Sequence, residues 1–186
     1  MPNLRVLDFD LENRPLSYLG QDYTTTEITA IAACFVNEPH SMKVWLLGQD
    51  APTTMLKQFR IMYDTADLVT GHYIRGHDLP IINGAMVELG LRPLDEQLTC
   101  DTKLDLIKKG PAFSASQENL SEMLGIAAPK VHMNTVKWRE ANRLTPGGIN
   151  LTRARCVGDV VQHMALRKEL LKRGLLNPPR QWRPHG

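Results

Sequence analysis

Residues 4–12 read LRVLDFDLE and are followed by NRP at residues 13–15. The apolar-rich first half of this stretch predicts a strand, and we expect the NRP sequence to end it. Because strand side chains alternate between two faces, Asp8, Asp10 and Glu12 are expected on one face. Two carboxylates about 4 Å apart repel by roughly 4 kcal/mol at an effective dielectric of about 20. A fold that gathers more of them there needs protons or divalent cations between them.

Periodicity along the rest of the chain predicts a mixed α/β domain. Further strands are expected at residues 28–36, 42–47, 67–70 and 98–102. Helices are expected at residues 52–64, 80–89, 116–124, 134–143 and 151–173, with one more running from residue 102 to Lys109. The first three strands have short connections, which favours an antiparallel meander. Residues 145–148 read TPGG and are expected to form a loop.

The composition is that of an ordinary globular domain, with 186 residues, 42% hydrophobic and 23% charged. No apolar run approaches the roughly 20 residues that a membrane span requires, and the N-terminus lacks the basic start of a signal peptide. Cys34, Cys100 and Cys156 are widely spaced and are expected to be reduced thiols. These features predict a cytoplasmic protein without a membrane partner.

Charge is distributed unevenly along the chain. Residues 150–186 contain 8 Lys/Arg and 2 Asp/Glu, whereas residues 1–149 contain 14 and 18. This asymmetry is consistent with a metal site in the acidic part beside a basic surface that attracts phosphates. A basic helix and tail that are simply solvated explain the asymmetry equally well. We expect one domain at residues 1–174 and an extended or disordered basic tail at 175–186. Trp182 lies between two arginines of this tail and is a candidate for base stacking, with a disordered end of the tail as an equal alternative.

Three acidic motifs follow one another along the chain. Asp10 and Glu12 form an Asp-x-Glu pair on the first strand, Asp78 lies in the sequence GHYIRGHDLP at residues 71–80, and Asp159 lies in the last expected helix. In this order and spacing they resemble the motifs of the DEDD, or DnaQ-like, 3′-5′ exonucleases of the ribonuclease-H-like superfamily. These include the proofreading domains of DNA polymerases. The resemblance spans about residues 4 to 171.

The resemblance implies a ribonuclease-H-like α/β fold. Its central mixed sheet would have five strands and would be flanked by helices. The first three strands would be antiparallel, and the further strands would be parallel. It assigns Asp10, Glu12, Asp78 and Asp159 as catalytic carboxylates that bind two Mg²⁺ or Mn²⁺ ions. Each of the four also has a purely structural explanation, as a strand end, a helix cap or a solvent-facing helical residue.

The general base of the family is missing at its usual place. The family has Tyr four residues, or His five residues, before the last Asp, and this chain has Arg155 and Ala154 there. His163 lies one helical turn beyond Asp159 and is the candidate substitute, with a polar surface residue as the alternative. Arg155 cannot accept a proton at ordinary pH, but it is a candidate for contacting a phosphate.

Several further residues are candidates for supporting roles. Asn13, Arg14 and His72 flank the first two motifs and are candidates for substrate contact, and a structural histidine is the favoured alternative for His72. Asp8 and Asp101 are expected to support the metal ligands from behind, and a helix cap is the alternative for Asp101.

The implied function is a 3′-5′ exonuclease that releases nucleoside monophosphates from single-stranded nucleic acid, DNA in preference to RNA. The compact length suits a stand-alone enzyme of replication or repair in the cytoplasm of a bacterial cell or a phage-infected host, with replication or repair proteins as partners. One alternative is a nucleic-acid-binding member with weakened catalysis, because the family base is absent. The other is a structure-selective endonuclease that uses the same carboxylates.

Overall fold

The structure is a computed structural model that describes residues 4–15, 26–107, 113–127 and 131–184. In these ranges the chain forms a six-stranded mixed sheet flanked by helices, and the expected mixed α/β architecture is confirmed. The strands are β1 (Val6–Pro15), β2 (Thr26–Phe35), β3 (Lys43–Leu46), β4 (Leu68–Gly71), β5 (Gln97–Asp101) and β6 (Arg180–Trp182). The helices are α1 (Pro52–Asp64), α2 (Asp78–Glu88), α3 (Thr102–Ile107), α4 (Gln117–Met123), α5 (Thr135–Asn142) and α6 (Pro146–Lys172).

The strand order across the sheet is β3-β2-β1-β4-β5-β6. The first three strands form the expected antiparallel meander, β4 and β5 run parallel to β1, and β6 is antiparallel to β5. β1 is thus central, with β2 on one side and β4 on the other. The expected end of α3 at Lys109 lies outside the described residues. No helix in the described ranges combines the length and the apolar character needed to cross a lipid bilayer.

Side-chain alternation along β1 separates two cores. Leu7, Phe9 and Leu11 belong to a core that includes residues of α1 and α2, where the rings of Phe9 and Phe59 lie 4.9 Å apart. On the other face, the acidic residues of β1 lie opposite three small residues of β2: Cys34, Ala32 and Ala30. These small side chains pack with residues of α6 in a second core. They leave the space in which α6 approaches β1.

The sheet has six strands where five were expected, because part of the C-terminal segment joins it. Residues 180–182 are extended and pair with β5, in a register that sets Trp182 opposite Gln97. This pairing occupies the backbone groups of an edge strand that would otherwise be exposed. Trp182 is buried in the core of α1 and α2, so the expectation that it stacks on bases is wrong.

β1 continues through the NRP sequence that was expected to end it. The pairing of β1 with β2 shifts between Glu12 and Asn13, so that the register passes over Thr29. Beyond this irregularity, Arg14 forms an ion pair with Glu27 of β2 at 2.6 Å, which holds the two strands together. Pro15 is tolerated because it is the last residue of the strand.

α6 begins at Pro146, inside the TPGG sequence expected to be a loop. The Thr145 hydroxyl accepts a hydrogen bond from the Gly148 amide at 3.0 Å and caps the helix. Proline is favoured in the first helical turn, where its missing N–H costs nothing. Gly148 is needed there because a Cβ atom would lie 2.1 Å from the Glu140 carbonyl oxygen, where α5 and α6 approach closely.

We expect Gly148→Ala to lower the free energy of unfolding by about 1–3 kcal/mol, because the added methyl group forces α5 and α6 apart. Gly84→Ala is the matched control, because Gly84 is exposed in α2 and an added Cβ meets nothing within 4 Å. That substitution should stabilise the fold by about 0.4–1 kcal/mol. Urea unfolding of both variants measures the difference. Equal effects of the two substitutions would contradict the close approach of the helices.

Candidate active site

Two elements, β1 and α6, bring three carboxylates together at one end of the sheet. Asp10 and Glu12 come from β1, and Asp159 comes from the middle of α6. One carboxylate oxygen from each residue lies within 4.8 Å of those of the other two. The sequence motifs predicted these residues, and the packing of α6 across β1 makes them neighbours.

Asp78 joins this group from the first turn of α2. Its Oδ1 accepts a hydrogen bond at 3.3 Å from the amide of Leu11, which lies between Asp10 and Glu12 of β1. Its Oδ2 lies 3.5 Å from Nδ1 of His77, and this contact raises the pKa of His77. All four acidic residues of the three motifs therefore converge, and we call Asp10, Glu12, Asp78 and Asp159 the acidic cluster.

Burial and mutual repulsion both disfavour ionisation of the carboxyl groups in the acidic cluster. Burial raises the pKa of Asp10 well above its usual range, and the charges of Asp78, Glu12 and Asp159 raise it further. Burial also raises the pKa of Glu12 to about 7, although Arg155 acts in the opposite direction. Closely spaced carboxylate oxygens with excess negative charge are the donors that hard divalent cations prefer. The donor set therefore fits a divalent metal ion, and Asp10, Glu12 and Asp159 could hold one.

Arg155 lies within the acidic cluster. Its Nε is 3.1 Å from Glu12 Oε1 and 3.0 Å from Asp159 Oδ2. Burial disfavours the charged guanidinium, but the charges of Asp159 and Glu12 outweigh this effect and raise the pKa of Arg155. One branch of the exonucleases that the motifs resemble has Tyr at position 155. In this chain the permanently charged Arg155 contacts two of the four carboxylates instead.

His163 is buried behind the acidic cluster instead of facing it. Its Nδ1 lies 2.7 Å from Asp8 Oδ2, and its Nε2 lies 2.9 Å from the Thr102 hydroxyl. Both ring nitrogens are engaged and only 2% of the residue is exposed. This geometry does not support the expectation that His163 is a general base, because a base needs a nitrogen within reach of the attacking water. Asp8 is the partner of His163, and burial raises the pKa of its carboxyl.

Thr102 extends this buried network towards the second motif. Its hydroxyl lies 2.9 Å from Nδ1 of His72 as well as from His163. Asp8, His163, Thr102 and His72 thus connect β1, α6, the start of α3 and the end of β4. The network fixes the position of α6 relative to β1, and therefore that of Asp159 relative to Asp10. His72, a candidate for substrate contact or for a structural role, is half-buried at the outer end of the network.

Asp101 holds the loop that leads from β4 into α2. Its carboxylate accepts hydrogen bonds from the amides of Tyr73 and Arg75 at 3.1 and 2.9 Å. It also accepts one from Leu104 at 2.9 Å, as a helix cap would. Tyr73 has a φ of 75°, which is unusual for a residue with a side chain.

The half-buried ring of Tyr73 contacts Lys103 and His77, and the sequence did not predict that these three residues would meet. The Lys103 ammonium lies 4.1 Å from the centre of the Tyr73 ring, and the His77 ring is stacked at 6.5 Å. A Cβ atom on Gly76 would lie 2.4 Å from the Tyr73 ring, so glycine permits this arrangement. Gly76 is thus a signal in the sequence for a close approach in this loop.

Arg14 and Asn13 lie at the far end of β1. Arg14 is bound to Glu27 and to the carbonyl oxygen of Asn142, so its contacts join β1, β2 and the end of α5. Asn13 follows the shift in pairing. These contacts give Arg14 a structural role, and substrate contact by either residue stays a prediction.

No family model and no curated protein matches the sequence. The fold is similar to part of a solved structure, the family B DNA polymerase from the hyperthermophilic archaeon Pyrobaculum calidifontis. The TM-score is 0.70 at 18% sequence identity, and the match covers 91% of this chain. The match spans 25% of that polymerase. The expected fold class, a ribonuclease-H-like domain with a mixed sheet, is confirmed, and at this identity the likeness concerns the fold alone.

The raised pKa of Glu12 predicts how the stability of the metal-free protein depends on pH. Between about pH 4.5 and 7 the folded state binds a proton at Glu12 more tightly than the unfolded state does. The free energy of unfolding should therefore fall as pH rises through this window. Urea unfolding in EDTA, compared between the parent and Glu12→Gln, isolates this contribution. The variant should lose part of the downward slope, and identical slopes would contradict the raised pKa.

The buried network predicts that His163→Ala lowers the free energy of unfolding by at least about 2 kcal/mol, because it leaves the Asp8 carboxylate buried without this partner. Val161→Ala, at an exposed position of the same helix, is the control and should change it by about 0.5 kcal/mol or less. Chemical unfolding measures both variants. A loss no larger than that of the control would mean that the network does not fix α6.

Proposed function

We propose that the protein is a metal-dependent 3′-5′ exonuclease that releases nucleoside monophosphates from single-stranded nucleic acid, DNA in preference to RNA. The observation that supports it is the convergence of the acidic cluster, with carboxylate oxygens of Asp10, Glu12 and Asp159 within 4.8 Å. The match in fold to part of a DNA polymerase agrees with the resemblance of the three motifs to proofreading exonucleases. We propose that it acts beside replication or repair proteins in the cytoplasm of a bacterial cell or a phage-infected host.

The four carboxylates of the acidic cluster would hold two Mg²⁺ or Mn²⁺ ions. When bound, such ions supply stabilisation of phosphoryl oxygens and lower the pKa of water. Asp10, Glu12 and Asp159 provide oxygens from two elements, and Asp78 is oriented by its hydrogen bond from the Leu11 amide. The sheet and α6 partly bury the acidic cluster, and the lower local dielectric strengthens electrostatic interactions with a bound phosphate.

Cationic and aromatic groups next to the acidic cluster are suited to hold the substrate. Arg155 lies at the cluster, and Lys103 lies above the ring of Tyr73. Guanidinium and ammonium groups bind phosphates, and aromatic rings stack on bases. We retain Asn13, Arg14 and His72 as candidates for substrate contact. His163 is buried in its network, so we assign it the positioning of α6 and not proton transfer.

The contacts of Arg155 favour a second candidate function. A guanidinium paired with Glu12 and Asp159 neutralises part of the charge that would bind metal. The protein would then be a nucleic-acid-binding member of the fold with weakened catalysis. The other alternative, a structure-selective endonuclease, uses the same cluster and differs in needing no free end.

We expect the protein with Mn²⁺ or Mg²⁺ to shorten a 5′-labelled DNA oligonucleotide stepwise from its 3′ end. Asp159→Asn and Asp78→Asn should each lower the rate at least about a hundredfold, because a metal ligand is lost. Glu88→Gln is the control, because it removes one exposed negative charge at the end of α2. The same assay with RNA measures the sugar preference. A metal at about a hundred times its dissociation constant should also stabilise the parent by about 2.7 kcal/mol.

Other results would point to the alternatives. Binding of the oligonucleotide without cleavage under any metal condition would contradict the exonuclease and favour the binding protein. Cleavage of circular single-stranded DNA would favour the endonuclease. Equal cleavage rates for Glu88→Gln and Asp159→Asn would show that the acidic cluster does not take part in the reaction.

A further inference from the structure

Arg155 lies among the carboxylates instead of at their rim. The side chains of Arg155, Glu12 and Asp159 are 20%, 12% and 11% exposed, so this contact is largely shielded from solvent. The guanidinium touches the same two residues that, with Asp10, form the group of closely spaced oxygens. It therefore occupies the part of the acidic cluster where a divalent ion would need ligands.

We propose that Arg155 is a resident counter-cation of the acidic cluster, which must leave Glu12 and Asp159 before a divalent metal ion can bind between them. The proposal rests on the metal site of the proposed function and adds a step to it. In the metal-free protein, Arg155 holds the mutually repelling carboxylates together. Metal binding is then an exchange of one cation for another.

The exchange follows from electrostatics at contact distance. Like charges about 4 Å apart repel by several kcal/mol at protein dielectric, and the repulsion from a divalent ion is twice as large. A guanidinium and a divalent ion therefore compete for Glu12 Oε1 and Asp159 Oδ2. The acidic cluster has four carboxylates for one guanidinium, so a doubly charged ion neutralises it better than Arg155 does.

The release of Arg155 also has a place in substrate binding. Arg155 lies on α6 one turn before Asp159, and its Nη1 already reaches towards the Val131 carbonyl oxygen at 3.4 Å. Once displaced, its N–H groups can donate to a phosphate, for which the guanidinium geometry is suited. The same residue would thus weaken metal binding in the free protein and bind the negative substrate once metal is present.

The test is a calorimetric titration of Mn²⁺ into the metal-free full chain at pH 8.5. Arg155→Met removes the counter-cation, and Arg155→Gln removes the charge but keeps a hydrogen-bond donor. Arg153→Met is the matched control, because Arg153 lies on the same helix and binds Gln49 at 2.8 Å instead of the acidic cluster. Arg153→Met lowers the net charge by the same amount as the Arg155 variants do, at a position two residues away.

We expect both Arg155 variants to bind Mn²⁺ at least tenfold more tightly than the parent, and Arg153→Met to remain within about threefold of the parent. Without metal, Arg155→Met should melt at a lower temperature than Arg153→Met, and saturating Mn²⁺ should reduce this difference. Should Arg155→Met fail to fold without metal, the titration of Arg155→Gln decides the question. In the parent, the Nε–H resonance of Arg155 should shift when Mg²⁺ is added.

The outcomes of the titration distinguish a failure of the counter-cation from a failure of the metal site. Equal affinities in the parent and in both Arg155 variants, or weaker binding in the variants, would overturn the counter-cation and leave the metal site intact. Tight binding in the Arg155 variants and none in the parent would support it, and would explain a protein that binds nucleic acid without cleaving it. If no variant binds Mn²⁺, both the metal site and the counter-cation are wrong.

Discussion

The close approach of α6 to β1 is the constraint on which the rest of the site depends. A helix can lie this near to a strand only where the strand's neighbour has small side chains, and β2 supplies Ala30, Ala32 and Cys34 on that face. The Cys156 thiol then reaches the Asp10 carbonyl oxygen at 3.3 Å. The buried contact between His163 and Asp8 fixes the helix along its axis. Asp159 consequently lies beside Asp10 and Glu12.

This approach has an energetic cost that explains much of the surrounding chemistry. Bringing carboxylates together in a partly buried place raises the pKa values of Asp10 and Glu12 and destabilises the metal-free protein above the pH at which they ionise. The two large apolar cores on either side of the sheet offset this cost. A site that is electrostatically strained without a cation and relieved by one is arranged for metal binding rather than for stability.

Arg155 connects the two functions that the site can support. If Arg155 stays paired with Glu12 and Asp159, it neutralises the carboxylates, as suits a binding protein. If a metal ion can displace Arg155, the site is compatible with a nuclease. The distinction depends on whether a divalent ion competes successfully for Glu12 and Asp159. The sequence shows only that Arg155 stands where one branch of the exonucleases that its motifs resemble has Tyr, and from this alone Arg155 was a candidate for contacting a phosphate. Its contact with the acidic cluster adds a role towards the metal.

The sequence by itself determined those features that depend on neighbours along the chain. Alternation along β1 predicted which face has Asp8, Asp10 and Glu12, and helical periodicity with Pro52 predicted the bounds of α1. The tertiary structure alone decided which distant residues meet. Arg155 pairs with a residue 143 positions away, and His163 with one 155 positions away.

The same reason explains the elements that were predicted wrongly. β6 exists because β5 offers it an edge, and α6 extends through its glycines because α5 passes close beside them. A local sequence pattern reports the preferences of one segment, whereas burial, pairing and charge at this site arise only when separate segments pack together.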